Sequence, residues 1–226
     1  LDQRYTGAYV LQAQNQPSNR QLDRKGLFGL LDIPTDRQLA VIYSHVLWDA
    51  SLFFGTDIYD DYAQWLVETV RGAAENANLH WVVKAHPSNV FRVQHGDISG
   101  EAAEMSLLRR EFPDLPEHVS VLPPDFDLSS MTLYQHADFG LTVRGTAGLE
   151  MATFSKPVLT CGTGHYIGQG FTLDSASRDE YQRRLATLHS LPPLPPGPTH
   201  RARLYAHALF LRRPLKPNLF APTFDF

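Results

Sequence analysis

The chain lacks the features that mark the common classes of disulfide-rich, metal-binding and membrane-spanning proteins. Its 226 residues include one cysteine, Cys161, which excludes an intrachain disulfide and a cysteine-rich zinc site. Its apolar runs are far shorter than the ~18 residues that a membrane-spanning helix needs. Its histidines show neither an HExxH motif nor another paired spacing, so the sequence predicts no bound metal.

Charge is also scarce and has no basic bias. Charged residues make up 19% of the chain, and the formal net charge is -4. Because a nucleic-acid partner requires a basic patch, we expect no nucleic acid to bind. The first strand is not followed by GxGxxG, and neither GxxxxGK[ST] nor GxSxG occurs. These absences argue against a dinucleotide site, a Walker-type site and an acyl-hydrolase nucleophile.

The chain does contain a repeated alternation of strand-like and helix-like segments. Short apolar runs typical of buried strands occupy residues 39–44, 79–85, 118–124, 138–143 and 157–160. Segments with helical spacing follow them at 59–76, 100–112, 128–137, 146–154 and 178–191. This order predicts an α/β fold with a Rossmann-like, doubly wound, mostly parallel sheet and helices on both faces.

The same pattern predicts three regions along the chain. Residues 1–38 are polar and form a lead-in, with a short helix near 27–33. Residues 39–190 form the Rossmann-like domain, and residues 191–226 form a proline-rich linker, a last helix at 200–211 and an irregular aromatic tail.

Ligands of such sheets bind outside the carboxyl ends of the strands, at the point where the strand order reverses. The segment VRGTAGLE, residues 143–150, joins a strand to a helix at that edge. Gly145 and Gly148 allow close backbone approach, and the N–H groups of the first helical turn around Thr146 suit a phosphate. Glu150 can accept hydrogen bonds from a ribose diol. An ordinary glycine-containing turn accounts for the same residues equally well.

The segment KAHPSN, residues 84–89, follows the second predicted strand. Pro87 holds His86 in extended geometry, and Lys84 and His86 then lie on the same side of the chain. Both side chains could contact a phosphate. The alternative is that Lys84 reaches solvent and His86 bonds to a loop carbonyl.

Two further loops share the predicted edge. CGTGHYIGQGFT, residues 161–172, has four glycines that core packing does not require, with His165, Tyr166 and Thr172 as polar edges. SHVLWD, residues 44–49, follows the first strand. His45 and Asp49 could contact an acceptor or a ribose there, although Asp49 could equally cap the next segment.

Taken in order, these motifs resemble the C-terminal nucleotide-binding half of GT-B glycosyltransferases, in particular the bacterial capsule and surface-polysaccharide biosynthesis group. The resemblance covers about residues 39–190. It lies in LHWVVKAHPSN, in LYQHADFGLTVRGTAGLEMATFSKPVLTCGTGHYIGQGFTLDS and in YQRRL.

The resemblance implies a metal-independent glycosyltransferase that uses a nucleotide-activated sugar as donor and needs no cofactor. Lys84 and His86 would then act as catalytic groups near the donor phosphates. The residues implied in binding phosphate, ribose, sugar or base are Arg144, Gly145, Thr146, Ala147, Gly148, Glu150, Gly164, His165 and Tyr166.

GT-B enzymes have two Rossmann-like halves, and this chain has residues for one. Because it starts at Leu1 and not at a methionine, we expect it to be part of a longer protein. The expected partners are a nucleotide-sugar donor, a glycan acceptor and an N-terminal half that covers the last helix and the aromatic tail 220–226. The resemblance implies a cytoplasmic location, with peripheral attachment to the inner membrane face as a variant.

Three alternatives remain open from the sequence. A sugar-nucleotide 2-epimerase and a CDP-polyol phosphotransferase have similar folds and similar histidine-containing turns. A nucleotide-binding module without chemistry of its own is the third alternative, since catalytic groups of a second half are missing from the chain.

Overall fold

The computed structural model describes residues 20–47, 57–89 and 102–212. Asp49, the aromatic tail 220–226 and residues 1–19 of the predicted lead-in lie outside the described residues. Within them, six strands form one all-parallel sheet in the order β3-β2-β1-β4-β5-β6. The strands are β1 Leu39–Tyr43, β2 His80–Lys84, β3 Val119–Leu122, β4 Phe139–Thr142, β5 Val158–Thr160 and β6 Leu173–Asp174.

The strand order reverses between β1 and β4. The chain proceeds from β1 outward to β3, then returns to pair β4 with the free side of β1, in a register that sets Ala40 beside Phe139. Each neighbouring pair is parallel. The predicted doubly wound parallel sheet is therefore confirmed, and its switch point lies between β1 and β4.

The described ranges contain seven α-helices, which cover both faces of the sheet. They are α1 Arg24–Leu30, α2 Tyr62–Glu75, α3 Ala103–Glu111, α4 Ser130–His136, α5 Thr146–Thr153, α6 Arg178–Ala186 and α7 Pro196–His207. A 3-10 turn, Leu188–Ser190, follows α6, and a π-helical turn, Ala208–Arg212, continues α7. None of the helices in the described part of the chain combines the length and apolar character needed to cross a membrane.

Two hydrophobic layers hold the helices to the sheet. On one face Ile42 packs with Trp65 of α2 and Tyr181 of α6. On the other face Val41 packs with residues of α1, α4 and α5, including Met151. Successive strand residues point to opposite faces, so a strand covered on both sides is apolar at every position. All five residues of β1 are buried accordingly.

The structure corrects three predicted elements. A short sixth strand, β6, directly follows the glycine-rich loop, and the sequence did not predict it because two residues carry no periodic signal. The first helix begins at Arg24 and ends at Leu30, earlier than the predicted 27–33. Helix α7 begins at Pro196, inside the segment predicted to be a linker, because proline suits the first helical turn.

Helix α7 packs directly against the Rossmann-like part of the chain. Ala202 and Ala206 of α7 lie in one buried cluster with Leu149 and Ala152 of α5 and with the loop residue Tyr166. The C-terminal helix thus supports α5, which begins at the carboxyl edge of the sheet.

Candidate functional site

The loops that follow β1 and β4 meet at the switch point through His45. Its Nε2 atom lies 3.0 Å from Thr142 Oγ1 and accepts a hydrogen bond from Val143 N at 3.2 Å. The imidazole stacks on the Tyr62 ring at a centroid distance of 4.4 Å. His45, which the sequence placed among the ligand contacts, therefore joins the two central strand ends.

The electrostatic surroundings of His45 locate two other predicted site residues. Burial, followed by the nearby His86 and Arg144, lowers the pKa of His45 to about 3. The ring is therefore neutral near pH 7. Because His86 follows β2 and Arg144 follows β4, the carboxyl ends of three strands contribute to one group of side chains.

Lys84 ends β2 and is buried, with 4% of its surface exposed. Its Nζ donates a hydrogen bond to the carbonyl of Pro123, beyond the end of β3, at 3.2 Å. Burial lowers the pKa of Lys84 to about 8, while the carboxylates of Asp125 and Glu104 act in the opposite direction. Lys84 thus places a positive charge below the edge and ties two strand ends together.

The turn that carries His86 is anchored by Glu104, a residue that the sequence reading missed. Glu104 lies in the first turn of α3 and is fully buried. Its Oε1 accepts hydrogen bonds from His86 N at 3.1 Å and from the Asn89 side chain. Burial raises the pKa of Glu104, and these hydrogen bonds and Lys84 oppose the change. The available signal was a carboxylate one turn before the buried Leu108, where helical spacing calls for an apolar residue.

Arg144 forms an ion pair with Asp57, which precedes α2. The two side chains are 7% and 12% exposed, and the guanidinium lies 5.7 Å from the centre of the Tyr62 ring. Burial raises the pKa of Asp57, while Arg144 lowers it. The arginine that the resemblance placed among the donor-binding residues thus also fixes the loop before α2.

Helix α5 begins at the same edge. Its N-cap is Gly145, which offers no side chain to cap the helix, although Thr142 Oγ1 accepts from Gly145 N at 3.0 Å. Thr146 is half-buried and Ala147 is buried in the first turn. A helix N-terminus without a side-chain cap presents N–H groups and the positive end of the helix dipole.

Gly148 lies directly against the side chain of Tyr166. A Cβ at this position would overlap the hydroxyl of Tyr166, which donates a hydrogen bond to the carbonyl of Gly145 at 2.7 Å. Tyr166 is fully buried, so it is not the polar edge that the sequence predicted. The glycine admits a supporting tyrosine, and the tyrosine fixes the turn at the start of α5.

Glu150 is also interior, with 1% of its surface exposed. It lies close enough to Tyr43, the last residue of β1, to contribute to the raised pKa of that phenol, after burial and Tyr134. The predicted ribose ligand is therefore a buried residue of α5 near the carboxyl end of β1.

The glycine-rich loop reaches the edge through Gly164. A Cβ there would lie 3.0 Å from Arg144 Cβ, so the loop passes directly over the arginine. The next residue, His165, stacks on Tyr205 of α7 at a centroid distance of 6.0 Å, and the Tyr205 hydroxyl donates to the His165 carbonyl. The three predicted loops therefore share one edge of the sheet.

The described ranges 20–47, 57–89 and 102–212 contain no cluster of three or more histidine, cysteine, aspartate or glutamate residues suited to a metal ion. What the edge offers is a set of neutral and positive hydrogen-bond donors. They belong to the His86 turn, to the start of α5 and to Arg144. Such a set is suited to an anion held outside the strand ends.

Comparison with solved structures finds proteins to which the chain is similar over part of their length. KpsC from Thermosulfurimonas dismutans, a beta Kdo 2,7 transferase, is 22% identical over 72% of this chain and 50% of its own, with a TM-score of 0.43. The beta Kdo 2,4 transferase KpsC from the same organism is 19% identical over 88% of this chain and 57% of its own, with a TM-score of 0.43. Sucrose-phosphate synthase from Thermosynechococcus elongatus is 14% identical over 85% of this chain and 50% of its own, with a TM-score of 0.45. The chain spans about half the length of these proteins.

Curated protein sequences provide no match to the chain. A family model does match it: the model for capsule polysaccharide biosynthesis proteins covers residues 3–190, which include every strand of the sheet and the complete carboxyl edge. The chain therefore belongs to the capsule polysaccharide biosynthesis protein family.

Proposed function

We propose that the chain is the donor-binding part of a glycosyltransferase that transfers a sugar from a nucleotide-activated donor during capsule or surface polysaccharide synthesis. Membership of the capsule family supports the biological role. The geometry of the carboxyl edge supports the binding of an anionic donor. The catalytic step proposed here uses hydrogen-bond donors of the protein and no metal ion.

The observation that carries the proposal is the convergence at the switch point. His45 contacts the end of β4 directly and lies within electrostatic range of both His86 and Arg144. The first turn of α5 starts at the same point, with no side chain capping it. A diphosphate or monophosphate placed there would meet N–H groups from the helix and donors from a neighbouring turn.

His86 is the residue to which we assign direct contact with the leaving nucleotide. Its Nδ1 accepts a hydrogen bond from Ser88 N at 3.2 Å, so a neutral ring carries its proton on Nε2. An Nε2–H group can donate to a phosphate oxygen. As the glycosyl bond breaks, negative charge grows on that oxygen, and a fixed donor stabilises the transition state more than the ground state.

Lys84 has a supporting part in this proposal. Its ammonium is occupied by the Pro123 carbonyl and buried below the edge, and with a pKa of about 8 it is mainly protonated at pH 7. It therefore adds a positive charge beneath the His86 turn. Glu150 and Tyr166 are assigned to the packing behind the α5 turn and not to donor contact.

Calorimetric titration of the chain with UDP, CMP and CDP tests the proposal directly. We expect saturable binding of at least one of them, and weaker binding by the His86→Ala variant. His118→Ala is the matched control, because His118 precedes β3 at the opposite edge of the sheet. Failure of all three nucleotides to bind would reject the proposed donor site.

Product analysis of the full-length protein with a nucleotide sugar or a CDP-polyol then separates the chemistries. A transferred glycoside supports the proposal. An epimerised nucleotide sugar would identify an epimerase, and a transferred polyol phosphate would identify a phosphotransferase. Nucleotide binding without turnover would leave the chain as a binding module.

A further inference from the structure

We propose that Glu104 is a positioning residue that sets the orientation of the His86 ring and affects donor binding only through that ring. This inference rests on the proposed function for its consequence, but not for its geometry. Glu104 belongs to α3, a helix that contributes no other predicted site residue. Its carboxylate nevertheless reaches the one turn of the edge that carries a histidine adjoining a proline.

The turn that carries His86 is held by hydrogen bonds of its own main chain and by one to Glu104. Ala85 still follows the sheet pattern, since its N–H donates to the Leu122 carbonyl at 3.0 Å. The Asn89 N–H donates to the His86 carbonyl at 3.2 Å and closes the turn, while the Ser88 N–H is directed at His86 Nδ1. Pro87 has no N–H. The His86 N–H donates outside the turn, to Glu104 Oε1 at 3.1 Å.

One oxygen atom of Glu104 binds both ends of the turn. Glu104 Oε1 accepts from the main chain of His86 and from the side chain of Asn89, which is itself 2% exposed. A single acceptor bonded at both ends fixes the path of the chain between them. The Ser88 N–H can then point at the ring, and that contact selects the Nε2–H form of His86.

The buried position of the Glu104 carboxylate in α3 has a cost in free energy. A fully buried carboxylate is unfavourable unless hydrogen bonds and opposite charge compensate it. Oε1 has such compensation, because Asn89 and His86 both donate to it and the Lys84 charge lies nearby, whereas Oε2 is buried without a hydrogen-bond partner among the described residues. An apolar residue would be the simpler choice for packing next to Leu108. The carboxylate is explained by its reach to the turn.

Two conservative variants of Glu104 separate the effect of side-chain length from the effect of charge. Glu104→Gln keeps an acceptor at the same distance and removes the charge. Glu104→Asp keeps the charge but withdraws the acceptor by one methylene, beyond hydrogen-bond distance of the His86 N–H. If the length of the side chain at position 104 orients the His86 ring, Glu104→Gln should have the ring form of the wild type and Glu104→Asp should not. Glu111→Gln is the control, since Glu111 lies on the same helix and contacts Arg110 at the surface.

The first measurement is ring-nitrogen NMR of His86 in the ligand-free chain. We expect a dominant Nε2–H form in the wild type, Glu104→Gln and Glu111→Gln, and a mixture of the two neutral forms in Glu104→Asp. The signals of the other histidines report that each variant is folded. An unchanged His86 signal in folded Glu104→Asp would overturn the inference, whether or not any nucleotide binds.

The second measurement is a double-mutant cycle on nucleotide affinity with CMP, UDP and CDP. Glu104→Asp should raise Kd by between about twofold, for an even mixture of the two ring forms, and about tenfold, for complete loss of one well-placed hydrogen bond to a charged group. In a His86→Ala background the same change should have no further effect. A further loss of the same size in that background would show that Glu104 acts independently of His86. Absence of nucleotide binding by the wild type would instead reject the donor site, and the NMR result would still decide the role of Glu104.

Discussion

His45 accepts a hydrogen bond from the Val143 main-chain N–H at 3.2 Å, and this contact joins the carboxyl ends of the two central strands. The nitrogen that accepts, Nε2, is the one that a second proton would occupy, so protonation breaks the contact. This agrees with the pKa of about 3 that burial gives the ring.

The His45 contact predicts a pH-dependent loss of stability on the acid side. In the unfolded chain His45 takes up a proton as the pH falls below about 6.5, while the folded ring stays neutral down to about pH 3. Stability is therefore present above pH 6.5 and is lost as the pH falls. The expected slope is about 1.4 kcal/mol per pH unit.

Denaturant unfolding of the wild type and of His45→Gln between pH 7 and pH 4 measures this slope. Glutamine keeps an acceptor and does not titrate, and effects of other groups cancel in the difference between the two proteins. The curves of unfolding free energy against pH should converge or cross as the pH falls. Parallel curves would exclude His45 as the cause.

Gly148→Ala should destabilise the chain by about 1–3 kcal/mol, because the added methyl group overlaps the Tyr166 hydroxyl inside a packed core. Gly29→Ala is the matched control. Gly29 lies in α1, and a Cβ there meets no atom within 4 Å, so alanine should be neutral or stabilising by up to about 1 kcal/mol. Thermal unfolding of Gly148→Ala and Gly29→Ala tests this prediction. Equal melting temperatures of the two variants would contradict it.

Asp57→Ala should cost about 3 kcal/mol of stability, since it leaves the buried Arg144 guanidinium without its carboxylate. Asp60→Ala removes an aspartate from a comparable pair with Arg178, but those side chains are 77% and 46% exposed. We expect less than about 1 kcal/mol there. Urea unfolding measures the free energy of unfolding of both variants. Similar losses would mean that the Arg144 pair contributes no more to stability than a surface pair does.

His86→Ala should lower the turnover of the full-length protein by about two to three orders of magnitude, the usual effect of losing a donor to a developing oxyanion. Its melting temperature should stay close to that of the wild type, because His86 is half-buried at the edge and outside the hydrophobic clusters. Steady-state assays with saturating donor test this. Full activity in His86→Ala would remove the residue from the mechanism.

The sheet could be predicted because its signal is local. A strand buried on both faces is apolar throughout, as β1 is, and five of the six strands carry this signature in at least part of their length. Strand β6 could not be predicted, since it consists of two half-buried residues directly after a glycine-rich loop. The start of α7 was missed because a proline-rich run was read as a linker, although proline also begins helices.

The contents of the site were less predictable, because they depend on partners that are distant in sequence. Gly148 has its role through Tyr166, which arrives from the loop after β5. Glu104 acts on a turn that ends at Asn89, well before its own helix begins at Ala103, so spacing alone could not connect them. The location of the edge followed from topology, whereas the orientation of each side chain did not. The assignment of donor-binding residues stays a prediction.

The pairing of β1 with β4 has a consequence for how the chain folds. Asp138, just before β4, accepts a hydrogen bond from Leu39 N, a residue 99 positions earlier. Pairing such distant segments costs more entropy than pairing β1 with its nearer neighbour β2, although the cost grows only slowly with separation. During synthesis β1 also keeps one edge unpaired until the segment that forms β4 has emerged from the ribosome, and an unpaired strand edge favours aggregation.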